Sequence, residues 1–344
     1  MKRWVVVLAG GVGSRFWPLS TSLRPKQLLP LVSHEPLLVE QLKRLRPIAS
    51  PARTLVLTNA ALVPAIAKLA GAPPRKNLIA EPKPAGTAAA LAWAANIIRQ
   101  RDGGEATMIS VHADWAIGNP AGFRDALTAA ATAAEQHRAM VTVGLVPTRA
   151  ESGFGYIELG THVSPGVRRV RRFVEKPGSD KAAELRASGA LWNSGIFAWR
   201  VSDFLDEIKA LSPEVGPALA KHARSLKGFF GAVKSIAVDH AVLERSKRVL
   251  VVPAEFGWDD VGTWGALRRV RPRDSRGNVV QGEVHLVDSA HNVVHAEGAR
   301  VALFGVNDLV VVSRDGVTLV TTVEKSADLK RLVESLPASW RGKK

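Results

Sequence analysis

Short apolar runs alternate with helix-like stretches as far as Val146, and this rhythm limits the fold more than any other feature of the chain. Trp4–Leu8, Thr54–Thr58, Asn77–Ala80, Met108–Val111 and Val141–Val146 read as buried strands. Between them Pro36–Arg46, Ala60–Ala70, Thr87–Arg99 and Pro120–His137 read as helices, with Pro36 suited to a first helical turn. Strands separated by helices pair in parallel rather than as hairpins. They predict an α/β domain with a Rossmann-like, mostly parallel sheet flanked by helices on both faces. In such sheets ligands bind beyond the carboxyl ends of the strands, so the residues that directly follow these runs come first in a search for chemistry.

From about Asn278 the texture changes. Val279-Val280, Val284–Val287, Val293-Val294, Val301–Phe304, Leu309–Val312 and Val317–Val320 are closely spaced strand-like runs. Turn signals such as Asp288-Ser289, Glu297-Gly298, Asn307-Asp308 and Asp315-Gly316 lie between them. They fit a small C-terminal β-rich, β-helix-like domain. Lys325–Leu336 reads as its closing helix, with Leu329, Leu332, Val333 and Leu336 at helical spacing. The expected division is residues 1–275 and 276–340, followed by a basic tail, Arg341–Lys344, expected to fray.

A chain of 344 residues that is 46% hydrophobic and 23% charged can bury a large core. No apolar run approaches the ~20 residues of a membrane span, and Met1-Lys2-Arg3 leads into a run too brief for a signal-peptide core. A cytoplasmic protein with no membrane association is expected. The absence of cysteine excludes disulfides, thiolate metal sites and cysteine nucleophiles. Oxygen or histidine ligands remain, and hard cations such as Mg2+ are the natural candidates. A formal charge of +16 suits nucleic acid, an anionic surface or small anionic substrates. Basic residues cluster at Arg168, Arg169, Arg171 and Arg172 and again from Arg268 to Arg276, without stacking aromatics or zinc-finger spacing. Nucleic acid is therefore not the expected partner.

The segment following the first strand, Leu8-Ala-Gly-Gly-Val-Gly-Ser-Arg-Phe-Trp-Pro18, carries the most information. Gly10, Gly11 and Gly13 permit close backbone approach, so main-chain N–H groups can face phosphate oxygens, and Arg15 adds a fixed cation. The loop lacks the last glycine of a dinucleotide site and the Gly-Lys-Ser/Thr of a P-loop, which disfavours dehydrogenases and kinases. Soon after comes Arg24-Pro-Lys-Gln27, where Pro25 restricts the backbone before Lys26. Arg15 and Lys26 together could grip a triphosphate.

AGGVGSRFWPLS followed by RPKQ resembles the opening signature of mannose-1-phosphate guanylyltransferases, within the sugar nucleotidyltransferases. The resemblance runs along nearly the whole chain. It implies a nucleotide site made by Leu8, Ala9, Gly10, Gly11, Gly13 and Ser14 together with the nucleobase loop Glu81-Pro-Lys-Pro-Ala-Gly-Thr87. There Gly86 stands where the family usually has asparagine, and Thr87 could equally be a helix N-cap. His112-Ala-Asp114 closes a strand at the family's metal-binding aspartate, with His112 and Trp115 where proline and histidine are common. Trp258-Asp-Asp-Val-Gly-Thr-Trp264 supplies the partner carboxylate, Asp260, with Asp259 a neighbour of undefined role. Alone, either acidic segment reads as a turn or a helix start.

Three further stretches resemble the family's sugar site: Gly153–Glu158, Phe173–Pro177 and Trp192–Phe197. From them Gly155, Glu175, Lys176 and Asn193 are the expected sugar-phosphate residues. Glu175 and Asn193 offer directional hydrogen bonds and Lys176 a point charge. The implied catalytic set is Arg15, Lys26, Asp114 and Asp260, with Mg2+ on the two aspartates. The implied reaction joins GTP to mannose 1-phosphate with release of pyrophosphate, and the family suggests a homodimer. Glucose 1-phosphate with another base is the nearest alternative. A non-catalytic sugar-nucleotide sensor would lose a carboxylate or a basic phosphate residue, and this chain keeps them. With no room for a separate isomerase domain, a single activity is expected.

Overall fold

The computed structural model describes residues 2–11 and 13–340; the tail Arg341–Lys344, expected to fray, lies outside them. In chain order the strands are β1 (Arg3–Leu8), β2 (Thr54–Asn59), β3 (Leu78–Glu81), β4 (Thr107–His112), β5 (Ala116–Ile117), β6 (Met140–Leu145), β7 (Tyr156–Ser164) and β8 (Val167–Val174). They continue with β9 (Leu191–Arg200), β10 (Val249–Ala254), β11 (Trp258–Asp259), β12 (Val279–Val287), β13 (Val293–Phe304), β14 (Leu309–Arg314) and β15 (Val317–Thr322). Contacts group the chain into two compact, discontinuous units. The first holds the residues up to Gly10, Leu42–His112 and Asn119–Phe256; the second holds Gly11–Gln41, Ala113–Gly118 and the residues from Gly257 onward.

The first unit is the expected α/β layer structure. Its nine-stranded sheet has the order β3-β2-β1-β4-β9-β6-β10-β8-β7, and only β8 and β9 run against the other strands. The helix Gly86–Asp102 buries every residue from Ala88 to Asn96. Its run of alanines gives high helix propensity while letting the helix axis approach its neighbours closely. It packs in one core with Trp4, Val6, Leu55, Leu57, Trp199 and Phe204. Pro120–His137 begins as its sequence suggests: the Asn119 side chain accepts from Gly122 N–H, and Pro120 fills the first turn.

The expected helix Ala60–Ala70 is much shorter, only Val63–Ile66 being α-helical. Leu62, Val63 and Ile66 are buried, but no residue from Ala67 to Ala70 is. Without an apolar face to bury, the later turns lack the packing that sustains a short helix.

In the second unit β12, β13 and β14 stack in parallel, Val279 on Val293 and Val293 on Val310, and β15 closes the sheet antiparallel. The links are too short for crossover helices, so the strands coil, as a β-helix requires. The separately read runs Val279-Val280 and Val284–Val287 form one irregular strand, with a register shift between Gln281 and Glu283. Buried Asn278 and Asn292 form a ladder inside the coil: Asn292 donates to Asn278 Oδ1 (3.1 Å) and to Val306 O (3.0 Å). Such side chains satisfy turn carbonyls that water cannot reach. Val279, Val293, Val310 and Leu319 share one core with Phe16, Trp17, Leu29 and Trp264. The segments that follow the glycine loop and the Arg-Pro-Lys-Gln string are thus seated on the C-terminal coil. Among the described residues no helix is long and apolar enough to cross a membrane.

Candidate active site

Within the second unit the structure gathers the four expected catalytic side chains. Gly13 adopts a left-handed conformation (φ 67°) and starts the short helical turn Ser14–Phe16. A Cβ on Gly13 would lie 2.3 Å from Lys26 Cβ, so the absence of a side chain makes room for the lysine. Lys26 is 6% exposed. Its ammonium donates to Asp114 Oδ2 (2.9 Å) and to the main-chain carbonyl of Asp260. Burying a lysine is unfavourable unless its charge is paired, and these two oxygens pair it. Arg15 remains exposed and donates to Gly262 O (3.2 Å).

The segment after β11 is held under constraint. Val261 has φ 46°, a conformation that a β-branched residue rarely adopts. Two neighbours fix it: Asp259 Oδ1 accepts from Val261 N–H (2.8 Å), and Asp260 Oδ1 accepts from Gly262 N–H (3.2 Å). Asp259 is in turn gripped by the Arg269 guanidinium at 2.6 and 3.1 Å. Asp259 therefore shapes the loop that presents Asp260, a role that the sequence left undefined. Burial pushes the Asp260 carboxyl above its ordinary range; Asp259 and Asp114 add to the rise, while Lys26 and Arg269 oppose it.

These donors suit a hard divalent cation. Asp114 and Asp260 are close enough to perturb each other's charge, and an ammonium already sits among the oxygens around them. Two carboxylates, with other positions left for phosphate oxygens and water, is how magnesium is usually held. No group of three or more acidic or histidine side chains is poised for a metal among the described residues, so a fully protein-enclosed site is not offered.

The first unit holds most of the remaining expected residues. Ala9 donates to Leu57 O (2.8 Å) and accepts from the Thr58 hydroxyl (3.0 Å), which ties the end of β1 to β2. Leu8 is paired with Leu57 and His112 on either side. Gly10 is exposed, with open space where a side chain would begin; in the second unit Gly11 is likewise exposed and open. Glu81 ends β3, where burial pushes its carboxyl up to about 7.

The helix expected from Thr87 begins at Gly86, and Thr87 is not its N-cap; that position belongs to Ala85, with no side-chain bond. The Thr87 hydroxyl instead accepts from Val238 N–H (2.9 Å). Gly86 has φ 77°, and a Cβ there would meet Ile236 O at 2.2 Å.

The sugar-phosphate candidates also come together. Asn193 donates its main-chain N–H to Gly155 O (2.8 Å), and the Glu175 carboxylate occupies the space beside Gly155, 2.7 Å from where a Cβ would stand. Lys176, itself left-handed (φ 42°), pairs with Glu175 at 3.1 Å. Asp239 is a member that sequence reasoning missed. It accepts from the Asn193 amide (2.8 Å), and burial raises its carboxyl above the ordinary range, with Glu175 adding to the rise. Nothing in Val238-Asp-His240 distinguishes it from a surface acid. Only the π-helical turn Asp239–Leu243 places it against Asn193.

Comparison with known proteins shows the family to which the chain belongs. The family model for the nucleotidyl transferase matches residues 4–276, and that for the MannoseP isomerase/GMP-like beta-helix domain matches residues 274–336. Xanthan biosynthesis protein XanB of Xanthomonas campestris pv. campestris is 36% identical over 98% of this chain and 73% of its own length. Mannose-1-phosphate guanylyltransferase of Salmonella muenchen is 35% identical over 98% of this chain and 74% of its own. Among solved structures, one described as mannose-1-phosphate geranyltransferase from Thermus thermophilus superposes with a TM-score of 0.90 at 34% identity. It covers 97% of this chain and 99% of the other.

Proposed function

We propose, from the premise that this chain belongs to the nucleotidyl transferase family, that it joins GTP to mannose 1-phosphate and releases pyrophosphate. Transfer of a nucleotide to a sugar 1-phosphate is the activity of the family, and its substrate classes are a nucleoside triphosphate and a sugar phosphate. The observation that carries the reading is the buried Lys26 ammonium, fixed by Asp114 and the Asp260 carbonyl on a loop that Gly13 leaves open.

In the proposed reaction an oxygen of the sugar phosphate attacks the α-phosphorus of the nucleotide. One P–O bond forms there, and the bond to the β-phosphate oxygen breaks on the opposite side. The attacking phosphate is already ionised at neutral pH, so no general base is needed; repulsion between anions is the obstacle. Arg15, Lys26 and the N–H groups of Gly11, Gly13 and Ser14 oppose that repulsion around the leaving pyrophosphate. When bound to Asp114 and Asp260, Mg2+ would supply further neutralisation of phosphate charge. Lys176 would hold the phosphate of the sugar, and Gly155, Glu175 and Asn193 its hydroxyls. Leu8, Ala9, Gly10, Gly86 and Thr87 would shape the nucleotide site, and Glu81 would accept from the N–H edge of guanine.

Residues 1–275 would carry the transfer and 276–340 would support it, in a cytoplasmic homodimer. The test is a pyrophosphate-release screen crossing four nucleoside triphosphates with several hexose 1-phosphates. GTP with mannose 1-phosphate should give the highest kcat/KM. Preference for another base or for glucose 1-phosphate would replace the guanylyl and mannose assignments, and no release with any pair would overturn the whole reading.

A further inference from the structure

We infer that a basic cavity in the first unit, beside β8, is a binding site for a small polyphosphate anion. β8 reads Val-Arg-Arg-Val-Arg-Arg-Phe-Val, and a regular strand would send Arg169 and Arg171 to one face and Arg172 to the other. The pairing with β7 is not regular: Glu158 faces Arg172, and the next residue, Leu159, faces Val170. Arg171 is the extra residue of a β-bulge, which re-aims the side chains around it. As a result Arg169, Arg171 and Arg172 all line one cavity of about 460 Å3.

Glu244, Ser246 and Lys247, which follow the π-helical turn, line the same cavity. The partly buried side chains of Val170 and Phe173, which also line it, pack on the core, so the charges stand over an apolar floor where they are less screened than on an open face. The balance is strongly positive. Arg171 and Arg172 share Glu158, and Glu244 is occupied by His240 at 2.9 Å. Among the described residues neither Arg169 nor Lys247 has a carboxylate partner. A solvated basic strand would let its side chains diverge. Here cations from two separate chain segments converge on one concave surface, which suits a compact ligand bearing two or more phosphates. The transfer chemistry uses none of these residues.

Tripolyphosphate is the probe, titrated by calorimetry into the full chain carrying Lys26→Ala, which weakens the catalytic phosphate site. One equivalent should bind. Adding Arg169→Gln and Lys247→Gln should weaken it by about tenfold or more, as expected when charge-assisted contacts are lost. Both residues are exposed, so the fold does not depend on them. Glu244→Gln should act in the opposite direction and tighten binding, because it removes the acid of the cavity. Absence of saturable binding, or binding unchanged by the double substitution, would overturn the proposal. So would binding of single-stranded RNA or phosphatidylserine vesicles at this face that tripolyphosphate does not displace.

Discussion

Gly13→Ala tests the coupling between the glycine loop and the catalytic lysine. The new Cβ would stand 2.3 Å from Lys26 Cβ, where carbon atoms normally keep roughly 3.5–4.0 Å apart. The neighbouring backbone cannot absorb this cheaply, since Lys26 N and Cα would be only 3.3 and 3.4 Å away. Alanine at φ 67° adds about 1–2 kcal/mol of backbone strain. Lys26 must move, and its ammonium then loses its register with Asp114 and the Asp260 carbonyl. A hydrogen bond to a charged group contributes about 1.5–3 kcal/mol, so displacing one or both should lower kcat/KM for the nucleotide by roughly a hundredfold.

Pyrophosphate release gives the rate and urea denaturation gives the stability, which should fall by about 1–3 kcal/mol. The decisive comparison places Gly13→Ala in a Lys26→Gly background, which has no Cβ to collide with. If the glycine acts through the lysine, the second substitution should cost no further rate there, although the backbone strain still appears in stability. A folded Gly13→Ala protein within about threefold of the wild-type kcat/KM would refute this coupling, and so would fully additive losses in the double variant.

Asp114→Asn and Asp260→Asn should each remove most turnover, at least ~3 kcal/mol of transition-state stabilisation, while circular dichroism shows the fold retained. Near-normal rates in either folded variant would contradict the metal assignment. Lys176→Ala should raise KM for the sugar phosphate with little change for the nucleotide, the reverse of Lys26→Ala; identical saturation behaviour in the two variants would count against separate roles. For Glu81, whose carboxyl is raised from 4.5 to about 7 by burial, the folded chain binds the proton more tightly than the unfolded chain. Its ionisation therefore costs stability progressively as pH rises from about 4.5 to about 7, and nothing below that range. Discounted for partial exposure, Glu81→Gln should gain about 1–3 kcal/mol at pH 8 and little at pH 4.5, read from urea midpoints. An equal gain at both pH values would exclude this cause.

The α/β rhythm was legible because strand and helix leave different apolar periods, and the core strands β1, β2, β4 and β6 fall where those periods place them. The position of β9 was not legible. No local pattern in Leu191–Arg200 tells that this strand enters the sheet between β4 and β6, against both. The discontinuous grouping was hidden for the same reason: Phe16, Leu29 and Val310 are ordinary apolar residues, and only the assembled core shows that they share one cluster. Among site residues, the glycine loop and Lys26 announced themselves by composition and spacing. Asp239 and Arg269 did not, because each acts through a partner distant in sequence or fixed by a strained turn: Asp239 through Asn193, Arg269 through Asp259.

Gly86 illustrates how a local departure acquires a physical reason only in three dimensions. By resemblance it reads as the loss of an asparagine and of a contact to the nucleotide. In the fold, the space an asparagine Cβ would fill is taken by the Ile236 carbonyl, which accepts from Ala88 N–H (3.2 Å), while Ile236 N–H reaches back to Ala85 O (3.4 Å). Val238 N–H adds a bond to the Thr87 hydroxyl. Two main-chain bonds and one hydroxyl bond thus tie the start of the helix to the segment that leads, one residue later, to Asp239. Restoring asparagine at position 86 without moving Ile236 would force a side chain into backbone at a positive φ. Glycine 86 and the close approach of residues 236–238 are therefore one feature of this chain, and a change at either position is felt at the other.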